Sequence, residues 1–163
     1  FRMSALSMRI IHAEKHRKEE DPMRYFIVAS HGPLSTAILE SASLIAGKET
    51  FRNFRAIYVT MQDSPENIRQ TVDNCMVDFP EEAEIIALTD VFGGSVTNIL
   101  TEYIQSRNLH IVTGMNLGMV IDAGFSGVET STEELIEALI HTGQRGIRCV
   151  NSEIDNNELE DEI

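Results

Sequence analysis

Hydrophobic and polar positions along the chain follow two alternating patterns. Short runs of mainly apolar residues predict strands over 25–30, 54–60, 84–89, 109–113 and 147–150. Between them, apolar residues recur every three or four positions and predict helices over 33–46, 63–76, 94–105, 116–122 and 131–143. Strands that alternate with helices are typical of βαβ units. The pattern therefore predicts an α/β fold with a mainly parallel, open central sheet.

Local signals set several helix boundaries. Pro65 lies in the first turn of the second helix, where a missing N–H does no harm. Ser131 and Glu134 have the spacing of a capping box, so the last helix is expected to begin there. Gly47 and Gly143 are expected to end the first and last helices, because glycine is the preferred residue just beyond a helix C-terminus.

The chain divides into three parts. At 163 residues, of which 42% are hydrophobic, it can bury the core of one ordinary domain. Residues 1–22 mix basic and acidic side chains without a sustained period, so we interpret them as a non-domain extension: a tag, a mis-set start or a flexible arm. Residues 23–150 form the predicted domain. Residues 151–163 are interpreted as a solvated acidic tail.

Charge and motif content exclude several classes of function. The formal net charge of −13 disfavours nucleic acid and anionic membrane surfaces as partners and favours a basic protein. No apolar run approaches the roughly 20 residues of a membrane-spanning helix, so a soluble protein is expected. Cys75 and Cys149 lack C-x-x-C spacing, and the sequence has no clustered Cys/His ligands and no acidic calcium loop. Neither a metal nor a cofactor is expected.

Candidate chemistry lies just after the predicted strands, because ligands of open parallel sheets bind beyond the carboxyl ends of the strands. His31 follows the first strand, Asp90 follows the third, and Asn116 follows the fourth. A histidine whose Nδ1–H is held by a carboxylate keeps the Nε2 lone pair free to attack phosphorus. His31 and Asp90 are therefore a candidate catalytic pair. The alternative is structural: His31 caps a helix and Asp90 ends a strand.

A glycine-rich turn follows Asp90. Gly93 and Gly94 allow the backbone to approach an anion closely, and Ser95 adds a hydroxyl at the start of a helix. This turn is a candidate phosphate-binding site, although an ordinary strand-to-helix turn with Ser95 as the cap has the same sequence. Neither G-x-x-x-x-G-K-[ST] nor G-x-G-x-x-G is present, which disfavours a nucleotide.

Taken together, these motifs resemble the IIA domain of mannose/fructose-type sugar phosphotransferase systems. The resemblance covers roughly residues 23–150 and depends most on S-H-G at 30–32 and D-x-x-G-G-S-x-x-N at 90–98. G-x-N-L at 114–117 and T-G-x-x-G-I at 142–147 add to it. The chain departs from the family where Val96 and Gly118 replace frequent prolines, changes that loosen turns without removing a functional group.

The resemblance implies a cytoplasmic phosphocarrier. His31 would accept a phosphoryl group from the carrier HPr and donate it to a IIB component, with Asp90 orienting the ring. The turn residues Gly93, Gly94 and Ser95 would hold the phosphoryl oxygens, and the docking rim would include Phe92 and Asn116. The IIC and IID membrane components would be reached only indirectly. No IIB domain follows the predicted last strand, so IIB is expected to be a separate chain.

The resemblance also implies a sheet with helices on both faces and a homodimer that exchanges an antiparallel last strand. Three other functions stay open on the sequence. One is the related phosphocarrier subunit of dihydroxyacetone kinase. Another is a non-catalytic regulatory module that binds an anion while His31 is structural. In the third, phosphorylated His31 signals to a transcriptional regulator.

Overall fold

Four parallel strands form the central sheet of the computed structural model, which describes residues 24–152 and 154. The strands are β1 (Tyr25–His31), β2 (Phe54–Val59), β3 (Ile85–Thr89) and β4 (Leu109–Thr113). Their order in the sheet is β2-β1-β3-β4, and every neighbouring pair is parallel. The predicted α/β fold with a parallel sheet is confirmed, and four of the predicted strands lie within one residue of their predicted bounds.

Helices connect these strands. In chain order they are α1 (Leu34–Ala46), a 3₁₀ helix (Lys48–Phe51), α2 (Pro65–Met76), α3 (Ser95–Thr101), α4 (Leu117–Phe125) and α5 (Thr132–Arg145). Side chains cap two of the helices: Ser64 accepts from the Asn67 N–H, and Ser131 and Glu134 make the predicted reciprocal capping box. Both arrangements satisfy N–H groups that the first helical turn cannot pair internally.

The sheet separates two hydrophobic cores, because successive strand residues point to opposite faces. Ile27 and Ala29 of β1 pack on one side with apolar residues of α2 and α3. Phe26 and Val28 pack on the other side with apolar residues of α1, α4 and α5. Helices therefore cover both faces, and the two central strands, β1 and β3, are apolar on both sides.

The path of the chain creates a switch point at the centre of the sheet. From β1 the chain passes through α1 to β2 on one side, and then returns past β1 to β3 on the other. The loops that leave β1 and β3 therefore run in opposite directions from adjacent strand ends. Such a switch point is where ligands of open α/β sheets bind, and here it brings the residues after β1 close to those after β3.

Three sequence predictions are corrected by the structure. The helix expected over 94–105 ends at Thr101, because the residues that follow form tighter bonds such as Tyr103 N–H to Leu100 O. Gly143 does not end the last helix, which continues to Arg145. The strand expected over 147–150 is absent: 147–149 have no regular structure, and 150–152 are helical. Those residues pair with no strand within the described range, and Ile147 is 82% exposed.

The predicted extension 1–22 and most of the acidic tail 151–163 lie outside the described residues. Within the described part of the chain, no helix combines the length and the apolar character that crossing a membrane requires. The described domain thus consists of one sheet, its two layers of helices and the loops at the strand ends.

Candidate functional site

His31 and Asp90 meet at the switch point of the sheet. His31 is the last residue of β1, and Asp90 directly follows β3. Asp90 Oδ2 accepts the His31 backbone N–H at 2.7 Å and lies 3.0 Å from His31 Nδ1, while Oδ1 lies 3.2 Å from the same nitrogen. One carboxylate therefore holds both the backbone and the ring of His31. The predicted pairing of the two residues is present in the structure.

This contact determines which ring nitrogen is available for chemistry. An ionised carboxylate only accepts hydrogen bonds, so Nδ1 must carry the proton that bonds to Asp90. The neutral ring then has its lone pair on Nε2. The His31 side chain is 45% exposed, whereas that of Asp90 is 10% exposed. The arrangement combines an accessible nucleophilic nitrogen with a largely shielded carboxylate that can stabilise positive charge on the ring.

The turn after β1 is fixed by Ser30. Its buried hydroxyl donates to Gly32 O at 2.9 Å and accepts the Ser35 N–H at 2.8 Å. The Gly32 N–H donates to Val59 O at 2.8 Å, and Gly32 has a φ of +59°, a conformation that L side chains rarely adopt. These bonds fix the backbone on both sides of His31. Sequence reasoning missed this role of Ser30, although Ser30 is part of the S-H-G motif.

The glycine-rich turn after β3 contacts the histidine ring directly. Ser95 Oγ lies 3.3 Å from His31 Nε2, and Ser95 is exposed at the start of α3. Gly93 has a φ of +75°, and its carbonyl accepts the Asn98 side-chain amide at 3.0 Å. The Gly94 N–H donates to Val91 O at 3.1 Å. A Cβ at Gly94 would lie 2.6 Å from His31 Cε1, so the glycine leaves space for the ring, while the Ser95 hydroxyl faces the free nitrogen.

The hydroxyl groups of two buried threonines, Thr89 and Thr97, also stabilise the turn after β3. Thr97 Oγ1 lies 2.9 Å from Thr89 Oγ1 and 3.0 Å from Val91 O, and both threonines are buried. These bonds join the end of β3 to the first turn of α3. Neither Thr97 nor Asn98 was singled out as a site residue from the sequence, because their role depends on a turn geometry that appears only in the fold.

The two predicted rim residues have different environments. Phe92 is 88% exposed in the turn after β3. Asn116 is half-buried: its Oδ1 caps α4 by accepting the Met119 N–H at 3.1 Å, and its Nδ2 donates to Gly143 O at 3.1 Å. The structure therefore gives Phe92 a free surface and gives Asn116 a structural role between α4 and α5. The docking function of Asn116 stays a prediction.

A comparison with protein-family models matches residues 25–140 of the chain to the mannose-type EIIA family, described as the PTS system fructose IIA component, where PTS is the phosphotransferase system. The chain belongs to this IIA family. The match includes β1, β3 and both turns that meet at His31. It supports a IIA component of the mannose/fructose type and does not favour the alternatives left open on the sequence.

Individual relatives agree with this assignment. This IIA component is similar to the PTS system fructose-specific EIIA component of Bacillus subtilis (strain 168), with 22% identity over 130 residues. The alignment covers 79% of this chain and 88% of the Bacillus protein. Among solved structures, a putative phosphoenolpyruvate-dependent sugar PTS permease from Klebsiella pneumoniae is 30% identical with a TM-score of 0.70. The alignment covers 82% of this chain and 96% of that one.

A third relative shows that the fold is shared at lower identity. The mannose/sorbose-specific IIA subunit from Enterococcus faecalis is 24% identical with a TM-score of 0.71, over 77% of this IIA component and 93% of that chain. The similarity extends over nearly the whole of each relative. IIA components act in phosphoryl relay, so the reaction class is phosphoryl transfer.

Proposed function

We propose that this IIA component accepts a phosphoryl group on Nε2 of His31 from HPr and transfers it to a IIB component, for sugar uptake and phosphorylation. The observation that supports this most directly is the position of the ring: Nδ1 lies on Asp90 at 3.0 Å, and Nε2 lies 3.3 Å from the Ser95 hydroxyl. Both exchanges take place in the cytoplasm, and IIC and IID are reached only through IIB.

In the proposed step, the Nε2 lone pair of His31 forms a new bond to phosphorus. The P–N bond of the phosphohistidine on HPr breaks, and its electron pair returns to the donor ring nitrogen. The His31 ring gains positive charge and keeps the proton on Nδ1, where Asp90 stabilises it. Transfer to IIB runs through the same groups in the opposite sense.

The turn at Gly93, Gly94 and Ser95 is the proposed phosphate-binding site. The Ser95 hydroxyl is placed to donate to a phosphoryl oxygen on Nε2. The first N–H groups of α3 have no acceptor inside the helix and can bond to the same oxygens. Gly93 supplies the left-handed turn, and Gly94 leaves room for the ring. Phe92 is the proposed contact with the partner surface.

A homodimer is also proposed. Within the described residues, β4 pairs only with β3, so its other edge is available for pairing. Ile147, Val150 and Ile154 are 82%, 68% and 53% exposed on the segment that follows α5. A second copy would cover both features.

Light scattering coupled to gel filtration should give twice the chain mass, and I147D/V150D should give the monomer mass.

Phosphoenolpyruvate-dependent labelling with enzyme I and HPr tests the proposed function. Intact mass spectrometry should show one added phosphoryl group that is lost in acid and requires both donors. His31→Ala should abolish the label, whereas His141→Ala, which removes an exposed histidine of α5, should keep it. Labelling that persists in His31→Ala would overturn the proposal.

A further inference from the structure

A cleft lies beside His31, and most of the residues that line it have no role in the proposed phosphoryl transfer. It has a volume of about 500 Å³, and its walls come from the ends of β1 and β2, the loop before α2, the first turn of α2 and the start of α3. The lining residues that bear on recognition are His31, Thr60, Met61, Asp63 and Ser95. The lining contains one carboxylate, Asp63, and no lysine or arginine.

Asp63 is held in place by its own loop. Its Oδ2 accepts the Thr60 backbone N–H at 2.7 Å and the Thr60 hydroxyl at 2.8 Å. The bond from the Thr60 backbone, and to a smaller extent the bond from its hydroxyl, hold the pKa of the Asp63 carboxyl below its ordinary value. The carboxyl group is therefore charged at neutral pH. Within the described part of the chain, no ion pair involves Asp63, and the hydrogen bonds that its carboxylate accepts both end on Oδ2. Oδ1 is therefore available to a partner.

Exposed apolar side chains lie on both sides of His31. Met61, in the loop after β2, is fully exposed, and Phe92, in the loop after β3, is 88% exposed. Strand β1 lies between β2 and β3, so these loops flank the histidine. Large apolar side chains around a polar centre are typical of surfaces that bind proteins.

The charge of the reacting group indicates what the partner must bring. A phosphoryl group carries nearly two negative charges, and proteins that transfer it normally place cations against it. Here Asp90 contacts the Nδ1 side of the His31 ring, Asp63 lines the same cleft as His31, and the cleft lining includes no lysine or arginine. A protein that docks over the cleft would supply that positive charge.

We propose that Asp63 and Met61 form a docking site for the phosphoryl-donor protein, in which a lysine or arginine of the donor lies against Asp63 Oδ1 and an apolar side chain packs on Met61. The inference rests on the proposed function of His31 and identifies how the donor is recognised. Asp63 contributes to encounter and binding, because charges at the edge of an interface mainly set association rate and salt dependence.

The test measures the initial rate of labelling against HPr concentration for wild type, Asp63→Asn and Met61→Ser. Asn keeps an oxygen acceptor for Thr60 but removes the charge. Asp63→Asn should raise the KM for HPr by about threefold to tenfold and weaken its dependence on NaCl, with less than a twofold change in the rate at saturation. Met61→Ser should raise the KM for HPr while the salt dependence stays as in wild type.

Matched controls separate docking from general effects. Glu81→Gln removes an exposed charge beyond the far end of α2, and Leu44→Ser removes an exposed apolar side chain of α1. Both should leave the KM for HPr unchanged. The half-life of purified phosphoprotein, measured without HPr, should be equal in wild type and Asp63→Asn, since Asp63 acts on the partner and not on the phosphohistidine.

Each other outcome contradicts the inference in its own way. An unchanged KM in Asp63→Asn would overturn it, as would an equal rise in Glu81→Gln, which would show only an effect of net charge. A shortened half-life would place Asp63 in the phosphohistidine environment, and a rise in KM only for the IIB acceptor would assign the site to that partner. Labelling that does not require His31 would instead overturn the proposed function itself.

Discussion

Gly94 lies so close to His31 that a side chain there would collide with the imidazole. A Cβ added at Gly94 would be 2.6 Å from His31 Cε1 and 3.3 Å from His31 Nε2. Carbon atoms do not approach this closely without a shift of one group. The glycine therefore allows the ring to lie between Asp90 and Ser95, with one nitrogen on each. Glycine is required at position 94 for steric reasons and not for its backbone conformation, since Gly93, and not Gly94, has the positive φ in this turn.

The first prediction follows from that contact. Gly94→Ala should lower the rate of phosphorylation by HPr by about tenfold or more, because displacing a reacting group by a fraction of an ångström misaligns it. The His31 side chain is half-exposed and can move outward, so the fold should persist with a small change in melting temperature. Gly127→Ala is the control, since a Cβ there would meet only Glu129 N at 3.9 Å. Equal rates in the two variants would contradict the steric role of Gly94.

Asp90→Asn tests the electrostatic role of the carboxylate. An asparagine oxygen can replace only part of the contacts to the His31 N–H and Nδ1, and it does not offset positive charge on the ring. The rate of phosphoryl transfer should fall by about 100-fold or more, as expected when the group that orients a catalytic histidine loses its charge. Rapid-quench measurement at saturating HPr checks this. A fall of less than threefold would mean that Asp90 is only a structural residue.

Much of the fold could be predicted from the sequence, because the strands are encoded by local apolar runs. Residues such as Ile85 and Leu88 are fully buried, and the runs that contain them match the observed strands closely. The segment 147–150 has a similar apolar pattern but forms no strand, because a strand forms only where the fold places the segment alongside a sheet edge that can share its hydrogen bonds. That requirement is not visible in a local sequence pattern.

The site was predictable to a lesser extent. The topology rule for parallel sheets identified His31 and Asp90 as neighbours, and the structure places them in contact. The roles of Ser30, Thr97 and Asn98 were missed because each acts on the backbone of a turn whose shape depends on the assembled fold. Asn116 was predicted at the docking rim, yet its side chain bonds to residues of α4 and α5.

The ion pair between Arg24 and Glu84, at the amino ends of the two central strands, predicts a pH dependence of stability. Arg24 Nε donates to Glu84 Oε2 at 2.6 Å, Thr132 donates its hydroxyl to Glu84, and Arg24 is only 8% exposed. Burial alone raises the pKa of the Glu84 carboxyl, but the bonds from Thr132 and Arg24 together outweigh it and hold the pKa below 4.5. The stabilisation is therefore present above pH 4.5 and lost as the pH falls through the folded-state pKa.

Glu84→Gln should lower the free energy of unfolding at pH 7 by about 1–3 kcal/mol, because a charge-assisted bond to a buried arginine is lost. As the pH falls from 4.5 through the lower folded-state pKa of Glu84, the variant and wild type should converge. Urea unfolding at several pH values measures both effects. Glu81→Gln, which removes an exposed charge, should show neither, and a constant gap between Glu84→Gln and wild type at all pH values would exclude the proposed titration.

The contact between α4 and α5 predicts that two glycine-to-alanine substitutions change the free energy of unfolding in opposite directions. A Cβ at Gly143 in α5 would lie 2.6 Å from Met119 Sδ and 3.2 Å from Asn116 Nδ2, whereas a Cβ at Gly118 in α4 would lie no closer than 3.4 Å to any atom. Alanine inside a helix normally stabilises it by about 0.5–1 kcal/mol relative to glycine. Gly118→Ala should therefore raise the free energy of unfolding by about that amount.

Gly143→Ala should instead lower the free energy of unfolding by about 1–3 kcal/mol, because overpacking between the two helices outweighs the gain in helix propensity. In the Met119→Ala background the cost of Gly143→Ala should be smaller, since the new methyl group would then occupy space vacated by the thioether. Urea unfolding of the four chains completes this double-mutant cycle. If both glycine variants were stabilised equally, Gly143 would not be required for close packing of α5 on α4, and its place in the T-G-x-x-G-I motif would need another physical cause.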